Sequence, residues 1–538
     1  MALTFQKLEL GRSLDVFPDQ ARNTGYLSPN NWDDYGYKTL FNLTIFDEQG
    51  NEQTIGNIKI GFVGQDGGWT QEQIPEQFEV LPENFYSLGQ DADYYKNVVE
   101  KLSQAITINV LTALGDVVND SNRLQLAENK GAFLISLLRS VNRTSIDNQF
   151  RRILRHEAQL TEYNFFYEKV ANDHYSGIRV EFNVEPNTKP SSHIHILIGR
   201  NGVGKTTLLN NMVNALLPDR GAVGETGCFF TPSESNGTTT INNDYFAGVV
   251  SVSFSAFDPF IPPKDQPNPD AGMRYYYVGL KKHFAQQDRE TFEQDQETFG
   301  LKNKDDLCED FTRSLKICFA LTAKKTRWTN AVRTLESDFN FAEMSLCDLT
   351  NVYAADQSDN QQTFDKRARA LFKRMSSGHA IVLLTVTKLV ETVEEKTLVL
   401  LDEPESHLHP PLLSAFTRAL SDLLVNRNGV AIIATHSPVV LQEVPKSCVS
   451  ILRRTRLITK VDRPESETFA ENVGILTREV FGLEVSKSGF HHLLANSVAE
   501  GKSYEEVEQE YQGQLGFEGK TILRSMIMVR DSQLGDIE

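Results

Sequence analysis

The chain has 538 residues, 40% hydrophobic and 23% charged, with a formal net charge of −18. That length is too great for one compact core and predicts three or four units, while the negative charge argues against broad, nonspecific coating of DNA. Five scattered cysteines (Cys228, Cys308, Cys318, Cys347, Cys448) with no CxxC pair predict reduced thiols rather than a disulfide framework or a zinc site. Residues 1–10 lack the basic and apolar runs of a signal peptide, and no stretch approaches ~18 uninterrupted apolar residues, so a cytoplasmic chain without a membrane span is expected.

Residues 1–66 read as strands and turns, with 38–46 and 54–62 alternating enough to pair across a turn at 47–51. Residues 91–160 carry helical periodicity, for example at Tyr95, Val98, Val99, Leu102, Ile106 and Val110. Arg139, Arg143, Arg151, Arg152 and Arg155 then form a basic stretch on helix, either a solvated face or a polyanion contact. Strand signals return at 177–184 and 193–198.

The second of these strands runs straight into a glycine-rich loop, and a helix-forming run at 208–217 follows. Gly199, Gly204, Lys205 and Thr206 meet the pattern G-x4-G-K-[ST]. Its glycines let backbone N–H groups curl around a polyphosphate, and the helix start adds its positive end. Asn201, Gly202, Gly204, Lys205, Thr206 and Thr207 are the expected nucleotide cradle, with Lys205 reaching the outer phosphates and Thr206 holding Mg²⁺. Next, 248–254 reads as a central strand. Pro259, Pro262, Pro263, Pro267 and Pro269 mark a loop, and the charged, Gln-rich sequence up to about residue 369 predicts an inserted helical subdomain.

Ser376, Ser377, Gly378 and His379 open an apolar helical run at 380–390, where hydroxyls and free N–H groups make an anion site. An apolar strand at 398–403 ends in Asp402 and Glu403. Carboxylates at the end of a buried strand are costly unless they face a site. Asp402 is expected to hold Mg²⁺ and Glu403 to polarise the attacking water; the alternative is a helix cap or surface ion pairs. His407 and His409 follow, with no further His or Cys cluster nearby. A loop packed on a second protomer is therefore expected there, over a transition-metal site. The strand at 430–435 ends in His436, placed to hydrogen-bond a γ-phosphate or its attacking water, with a satisfied core histidine as the bland reading. Residues 464–538 look helical and acidic, and no internal repeat or long heptad run is visible.

Together these elements resemble the ABC-type ATPase head, in its soluble AAA_21/OLD-like branch. Residues 199–207 match its Walker A, 398–403 its Walker B, 406–409 its D-loop, His436 its switch histidine and 376–379 its signature, here Ser-Ser-Gly-His. The resemblance implies an α/β fold: a mainly parallel sheet plus an antiparallel β subdomain, with an inserted helical subdomain and C-terminal helices. The implied divisions are 1–165 (strand-rich and helical), 166–257 (Walker A lobe), 258–370 (helical insertion), 371–463 (signature, Walker B and switch-histidine lobe) and 464–538 (acidic helices). It implies ATP hydrolysis with Mg²⁺ and a homodimer, or an assembly of dimers, in which each signature grips the γ-phosphate held by the other copy. No glutamine follows the strand at 249–254, and Ser255 occupies the Q-loop position as an implied Mg²⁺ ligand. Tyr167, Tyr175 and Phe182 are candidates for stacking on adenine. Arg327 and Trp328, near Lys324 and Lys325, could stack on nucleic acid, the bland reading being a solvated helix with one packed Trp.

By overall layout and the run 252–258, the chain is also similar to the ATPase subunit of Septu-type bacterial anti-phage systems (PtuA-like), including retron-linked versions. That resemblance implies a switch controlling a separate HNH endonuclease and, in retron-linked members, association with a reverse transcriptase and its RNA–DNA product. The alternative is an SMC-like DNA-repair ATPase, which would carry long heptad arms where about 110 residues without heptads stand here. A transporter subunit would need a more orthodox signature and a membrane partner. A fused nuclease would need a Glu plus DxD set, and Asp531 and Asp536 lie too far apart, so no intrinsic nuclease activity is expected.

Overall fold

A computed structural model describes residues 3–11, 21–143, 145–155, 162–172, 177–217, 223–232, 237–241, 245–268, 272–283, 299–356, 362–456, 458–482 and 489–535. Among these, a seven-stranded sheet organises the chain. Its order is Arg274–Gly279, Gly248–Ser253, Thr397–Asp402, Val430–Thr435, Ile194–Gly199, Val449–Thr455 and Ile458–Asp462. Every neighbouring pair is parallel except the last. Alternate residues divide between two cores. Ile194, Ile196, Ile198, Val399, Leu401 and Ile433 pack toward the helices Lys304–Ala320, Thr322–Leu335, Gln362–Arg374, Ser377–Thr392 and Pro410–Arg427. Leu197, Leu398, Leu400, Ile432 and Ala434 pack toward the helix Lys205–Leu216 and an antiparallel sheet. Covered on both faces, the strands at 194–199, 248–253, 397–402 and 430–435 are buried at nearly every position, which is why they were legible as buried parallel strands.

The antiparallel sheet runs in the order Ile178–Val184, Tyr163–Lys169, Cys228–Pro232, Thr238–Thr240. A separate six-stranded sheet with its own core occupies the N-terminal part. In it Leu40–Phe46 and Glu52–Phe62 pair antiparallel, and the Asp47 carboxylate accepts from the N–H groups of Gln49 (2.9 Å) and Asn51 (2.8 Å) to close the turn. The periodic stretch after residue 91 is two helices, Ala92–Lys101 and Gln104–Ala113, because Ser103 ends one and caps the next. The acidic C-terminal part is helical, with Gly489–Ala499, Tyr504–Glu510 and Phe517–Gly535 around a small core of Leu494, Val498, Val507 and Leu523.

Two expectations need adjustment. The helical insertion does not start at residue 258: Arg274–Gly279 adds a parallel strand to the main sheet, Lys281–His283 pairs with Phe299–Leu301, and helix begins at Lys304. The tyrosine-rich run at 275–277 is a strand signal that the proline cluster before it obscured. The basic stretch is a partly solvated face whose arginines are mostly ion-paired within the chain rather than left for a polyanion. Arg139 meets Asp34 at 2.9 Å, Arg143 meets Glu128 and Asp147, Arg151 meets Asp147 at 3.1 Å, and Arg152 meets the buried Glu395 at 3.0 Å.

Asp91 locks the N-terminal part to the rest. Its carboxylate takes Arg327 at 2.6 Å and Arg427 at 3.0 Å, all three buried. Burial alone would raise the Asp91 carboxyl; the two guanidiniums outweigh it and hold the carboxyl well below its ordinary range. Among the described residues, no helix is long and apolar enough to cross a membrane.

Candidate functional site

The strands ending at Gly199, Thr435 and Asp402 are neighbours, so their carboxyl ends stand side by side. Ile198 is in register with Thr435, Asp402 with Ala434, and Ser253 with Asp402. Parallel strands put their loops at one edge, and that edge is where open α/β sheets collect ligands.

The loop after the first strand has the backbone its glycines allow. Gly202 (φ 81°) and Gly204 (φ 98°) are left-handed with open space where a Cβ would stand, while a Cβ on Gly199 would meet Leu452 O at 2.5 Å. Helix Lys205–Leu216 starts from Gly204 with no side-chain cap, leaving its first N–H groups for an anion. Asn201, Gly202 and Thr207 lie on the open side of this turn, with Asn201 and Thr207 exposed. Lys205 folds onto the loop, donating to Gly199 O (3.0 Å) and Arg200 O (3.1 Å). Burial lowers its ammonium below the ordinary lysine range against the opposing pull of Glu403, Asp402 and Glu405. These carbonyl contacts are ones a polyphosphate can replace.

Asp402 is pushed up to about 7 by burial, helped by the nearby Glu403 and Asp258 charges and opposed by the Thr206 hydroxyl and Lys205. Its Oδ1 is buried without a hydrogen-bond partner, and so is Ser253 Oγ beside it. Thr206, Ser253, Asp258 and Asp402 line one small cavity. Ser255 is not among its lining residues, so the carry-over to the Q-loop position falls two residues late; in-register pairing brings Ser253 to Asp402 instead. Two orphaned oxygens next to a threonine hydroxyl fit Mg²⁺, a hard cation that takes oxygen ligands.

Glu403 carries strain: its backbone is left-handed at φ 44°, ψ 59°. A non-glycine residue there costs ~1–3 kcal/mol, which the fold maintains by hydrogen-bonding Glu403 N–H to Ala434 O at 2.9 Å. Its carboxylate lies 3.6 Å from His436 Nδ1. Glu405, which sequence reasoning passed over, ties this loop to the next strand, as Oε1 accepts from Thr435 Oγ1 and His436 N–H, both at 2.6 Å. His436 Nδ1 is 3.1 Å from the same oxygen but not in hydrogen-bond geometry, so the ring is held beside both acids and remains free to bond elsewhere.

Ser376 caps helix Ser377–Thr392, accepting from His379 N–H, so 376–379 is a helix start as the sequence suggested, exposed at its two serines. A second residue missed by sequence reasoning, Asp338, organises this tip. Ser376 Oγ lies 2.6 Å from His379 Nδ1, His379 Nε2 lies 3.1 Å from Asp338 Oδ1, and His409 Nε2 lies 3.2 Å from Asp338 Oδ2. Burial pushes the Asp338 carboxyl up, but the Phe341 N–H, His379 and the Asn340 N–H together bring it below its ordinary value. An ionised carboxylate only accepts, so His379 presents Nε2–H to it. Gly378 is required because a Cβ would stand 2.3 Å from His407 O. Asp338 sits about 38 positions before Ser376, in the insertion, a separation no local pattern exposes. Among the described residues no group of three or more His, Cys, Asp or Glu is placed to hold a metal ion, and His409 turns to Asp338.

The stacking candidates are core. The Tyr167 hydroxyl donates to Thr226 O in a buried site, and Phe182 is buried against Phe165 with centroids 5.1 Å apart. Tyr175 lies outside the described residues. Trp328 is wholly buried and donates from Nε1 to Thr387 Oγ1 at 2.9 Å, and Arg327 is spent on Asp91, so neither can stack on nucleic acid. Lys324 is buried too, so this helix face is not solvated either.

Residues 354–442, from before the signature to just past His436, match the family described as "AAA domain, putative AbiEii toxin, Type IV TA system". Solved structures similar to the chain include MJ1267, an ATP-binding cassette of an ABC transporter (12% identity, 61% of this chain and 98% of that one, TM-score 0.29). UvrA2 from Deinococcus radiodurans (14%, 55% and 37%, 0.24) and an SMC head bound to the C-winged helix domain of ScpA (13%, 56% and 97%, 0.26) are also similar. At such TM-scores these likenesses decide nothing about function; the ABC-type fold class stands on the strand order and loops above. Protein ea59 of Escherichia phage lambda is 45% identical over 541 residues, spanning 98% of this chain and 99% of that protein. The chain is an ABC-type P-loop ATPase by fold, and it belongs to the family of protein ea59 of phage lambda.

Proposed function

We propose that the chain is an ATP-binding and ATP-hydrolysing switch that works as a pair of heads. The observation that carries this reading is the convergence of the Lys205 cradle, Asp402, Glu403 and His436 at the carboxyl ends of three adjacent strands. The cradle and the uncapped helix start hold the triphosphate. Thr206, Asp402 and Ser253 would hold Mg²⁺, which supplies charge neutralisation on the β- and γ-phosphates when bound. Glu403 orients and polarises the attacking water, and His436, fixed through Glu405, bonds the γ-phosphate. The tip at Ser376, Ser377, Gly378 and His379, exposed at its two serines, then closes on the nucleotide of a second copy, so binding favours the closed pair and hydrolysis reopens it. Lys205→Ala should abolish ATP binding, and Glu403→Gln should bind ATP, fail to turn it over and accumulate as a dimer on size exclusion. Undiminished ATP binding by Lys205→Ala would overturn the site.

On the sequence resemblance to PtuA-like ATPases, we propose that the output of the switch is an HNH endonuclease subunit carried separately, with a reverse transcriptase and RNA–DNA product in retron-linked cases. The phage source of a full-length relative is in keeping with a role in conflict between genetic elements. Affinity capture of the natural chain, with mass spectrometry and nucleic-acid extraction, tests this; recovery of no nuclease in either nucleotide state would remove the partner and leave the ATPase.

A further inference from the structure

At the opposite end of the main sheet from the P-loop, a cavity of about 710 Å³ opens between the sheet and the N-terminal part. Its floor is the start of three strands, at Gly248, Arg274 and Thr397, and one wall is the segment around Leu134, Ile135 and Leu138. The volume is that of a small-molecule site, which runs ~300–1,000 Å³. Apolar surface comes from those three residues and Tyr276, and Tyr35 stands exposed at the lining.

The polar part of the lining is cationic and incompletely matched. Arg274 and Lys324 are 6% and 3% exposed, and Lys388 stands beside them. Lys388 meets Glu391 at 2.9 Å, Lys324 Nζ donates to Glu391 O at 2.6 Å and Arg274 Nη2 donates to Leu138 O and Val141 O at 3.0 and 3.3 Å. Arg274 and Lys324 reach the Glu394 carboxylate only at 3.8 and 4.0 Å, so the mismatch lies in charge and at Arg274 Nε. Glu394 is shared further with Asn142 Nδ2, at 3.4 Å. Arg139 and Arg313 also line the space, already engaged with Asp34 and Asp310. The remaining acid, Asp265, is pushed up by burial, and the same burial pushes the Lys324 ammonium down. Among the described lining residues, the one buried side-chain polar atom lacking any partner is a donor, Arg274 Nε. A buried guanidinium N–H without an acceptor is costly, and a phosphate oxygen satisfies it with a charge-assisted bond.

We propose that this cavity binds a nucleoside monophosphate, the phosphate between Arg274, Lys324 and Lys388 and the base against Leu134, Ile135 and Tyr276. This site is separate from the P-loop and does not depend on ATP hydrolysis. It also fits the chain's charge, since a chain of net charge −18 repels anions elsewhere and needs a local cationic recess to hold one.

The experiment uses the full chain carrying Lys205→Ala, so that the P-loop does not contribute. Titration calorimetry with AMP, GMP, CMP and UMP should show one site for at least one of them. The matching 8-azido purine nucleotide should cross-link to peptides within 134–142 or 247–250. Adding Arg274→Met, which keeps the stem, should weaken binding at least tenfold. Tyr35→Ala, at a position 79% exposed where the ring meets the Arg139 guanidinium at 4.7 Å, should weaken it severalfold with the thermal midpoint checked alongside. No binding of any of the four nucleotides, cross-links confined to 199–207, or affinity unchanged by Tyr35→Ala and by Arg274→Met would each overturn the proposal.

Discussion

Asp338→Ala should separate ATP binding from turnover. The carboxylate is 9% exposed, accepts from Phe341 N–H as the cap of helix Phe339–Glu343 and from His379, and lies 3.2 Å from His409 Nε2. Loss of the cap costs ~1 kcal/mol. The His379 bond, at 3.1 Å with the ring only 13% exposed, contributes ~1.5–3 kcal/mol as a bond to a charged acceptor. His409 is 50% exposed and adds little after solvent screening. About half of the roughly 3 kcal/mol at stake therefore holds the His379 ring on Ser376, and ~1.4 kcal/mol of lost positioning is about tenfold in rate. The expected result is a kcat for ATP hydrolysis down about tenfold, with the KM and the affinity for a fluorescent ATP analogue near those of the natural chain, because Lys205 is untouched. Asp338→Asn keeps an acceptor for the cap, so it should recover most of the lost thermal stability while kcat stays low. If Asp338→Ala turns over ATP as fast as the natural chain while folded, the tip does not depend on this carboxylate and the reasoning fails.

The remaining predictions concern stability. Asp116 is pushed up to about 7 by burial, against the opposing N–H groups of Asn119 and Val118 and the Tyr95 hydroxyl. A carboxyl raised in the folded state contributes stability that is full below about pH 4 and lost as pH climbs through about 7, ~4 kcal/mol across that window at ~1.4 kcal/mol per pH unit. Asp116→Asn cannot ionise, so urea midpoints at pH 5 and pH 8 should show it gaining on the natural chain at the higher pH; an equal difference at both would refute the buried-acid reading. Asp91→Ala takes the shared carboxylate from buried Arg427 and leaves buried Arg327 only Asp93 at 3.6 Å, and should destabilise by ~3–5 kcal/mol, with a loss below ~1 kcal/mol counting against the lock.

Strands and loops with local signatures were legible in the sequence. The P-loop declares itself because the glycines, lysine and threonine act within eight positions, and the buried strands because both faces are apolar. What stayed hidden acts across the chain. Asp338 reaches His379 and His409 from the insertion, and Asp91 reaches Arg327 and Arg427 across 236 and 336 positions. Ser253 was displaced in favour of Ser255 because position in a loop was read from a family pattern, whereas strand register decides which side chain stands beside Asp402. Trp328 and Arg327 looked like a nucleic-acid platform because an aromatic beside cations has the same composition whether it faces water or Thr387.

The helix Ser377–Thr392 joins the two halves of this account. At ~1.5 Å per residue its 16 residues span ~24 Å. Its first turn carries the tip held by Asp338 and by the close approach of Gly378 to His407 O. Its middle packs on the insertion, where Thr387 accepts from Trp328. Just beyond its last turn, Glu394 meets Asn142 and Glu395 meets Arg152, both in the N-terminal part, and Glu391 and Thr392 line the cavity there. The helix is buried along most of its length, so a shift of the tip by an ångström or two should move those acids against Asn142 and Arg152 or repack the side chains around Trp328. The N-terminal part and the insertion are therefore mechanically in series with the residues that would grip a second copy's nucleotide. A ligand that tightens Arg274 and Lys324 around Glu394 acts on the far end of the same rod.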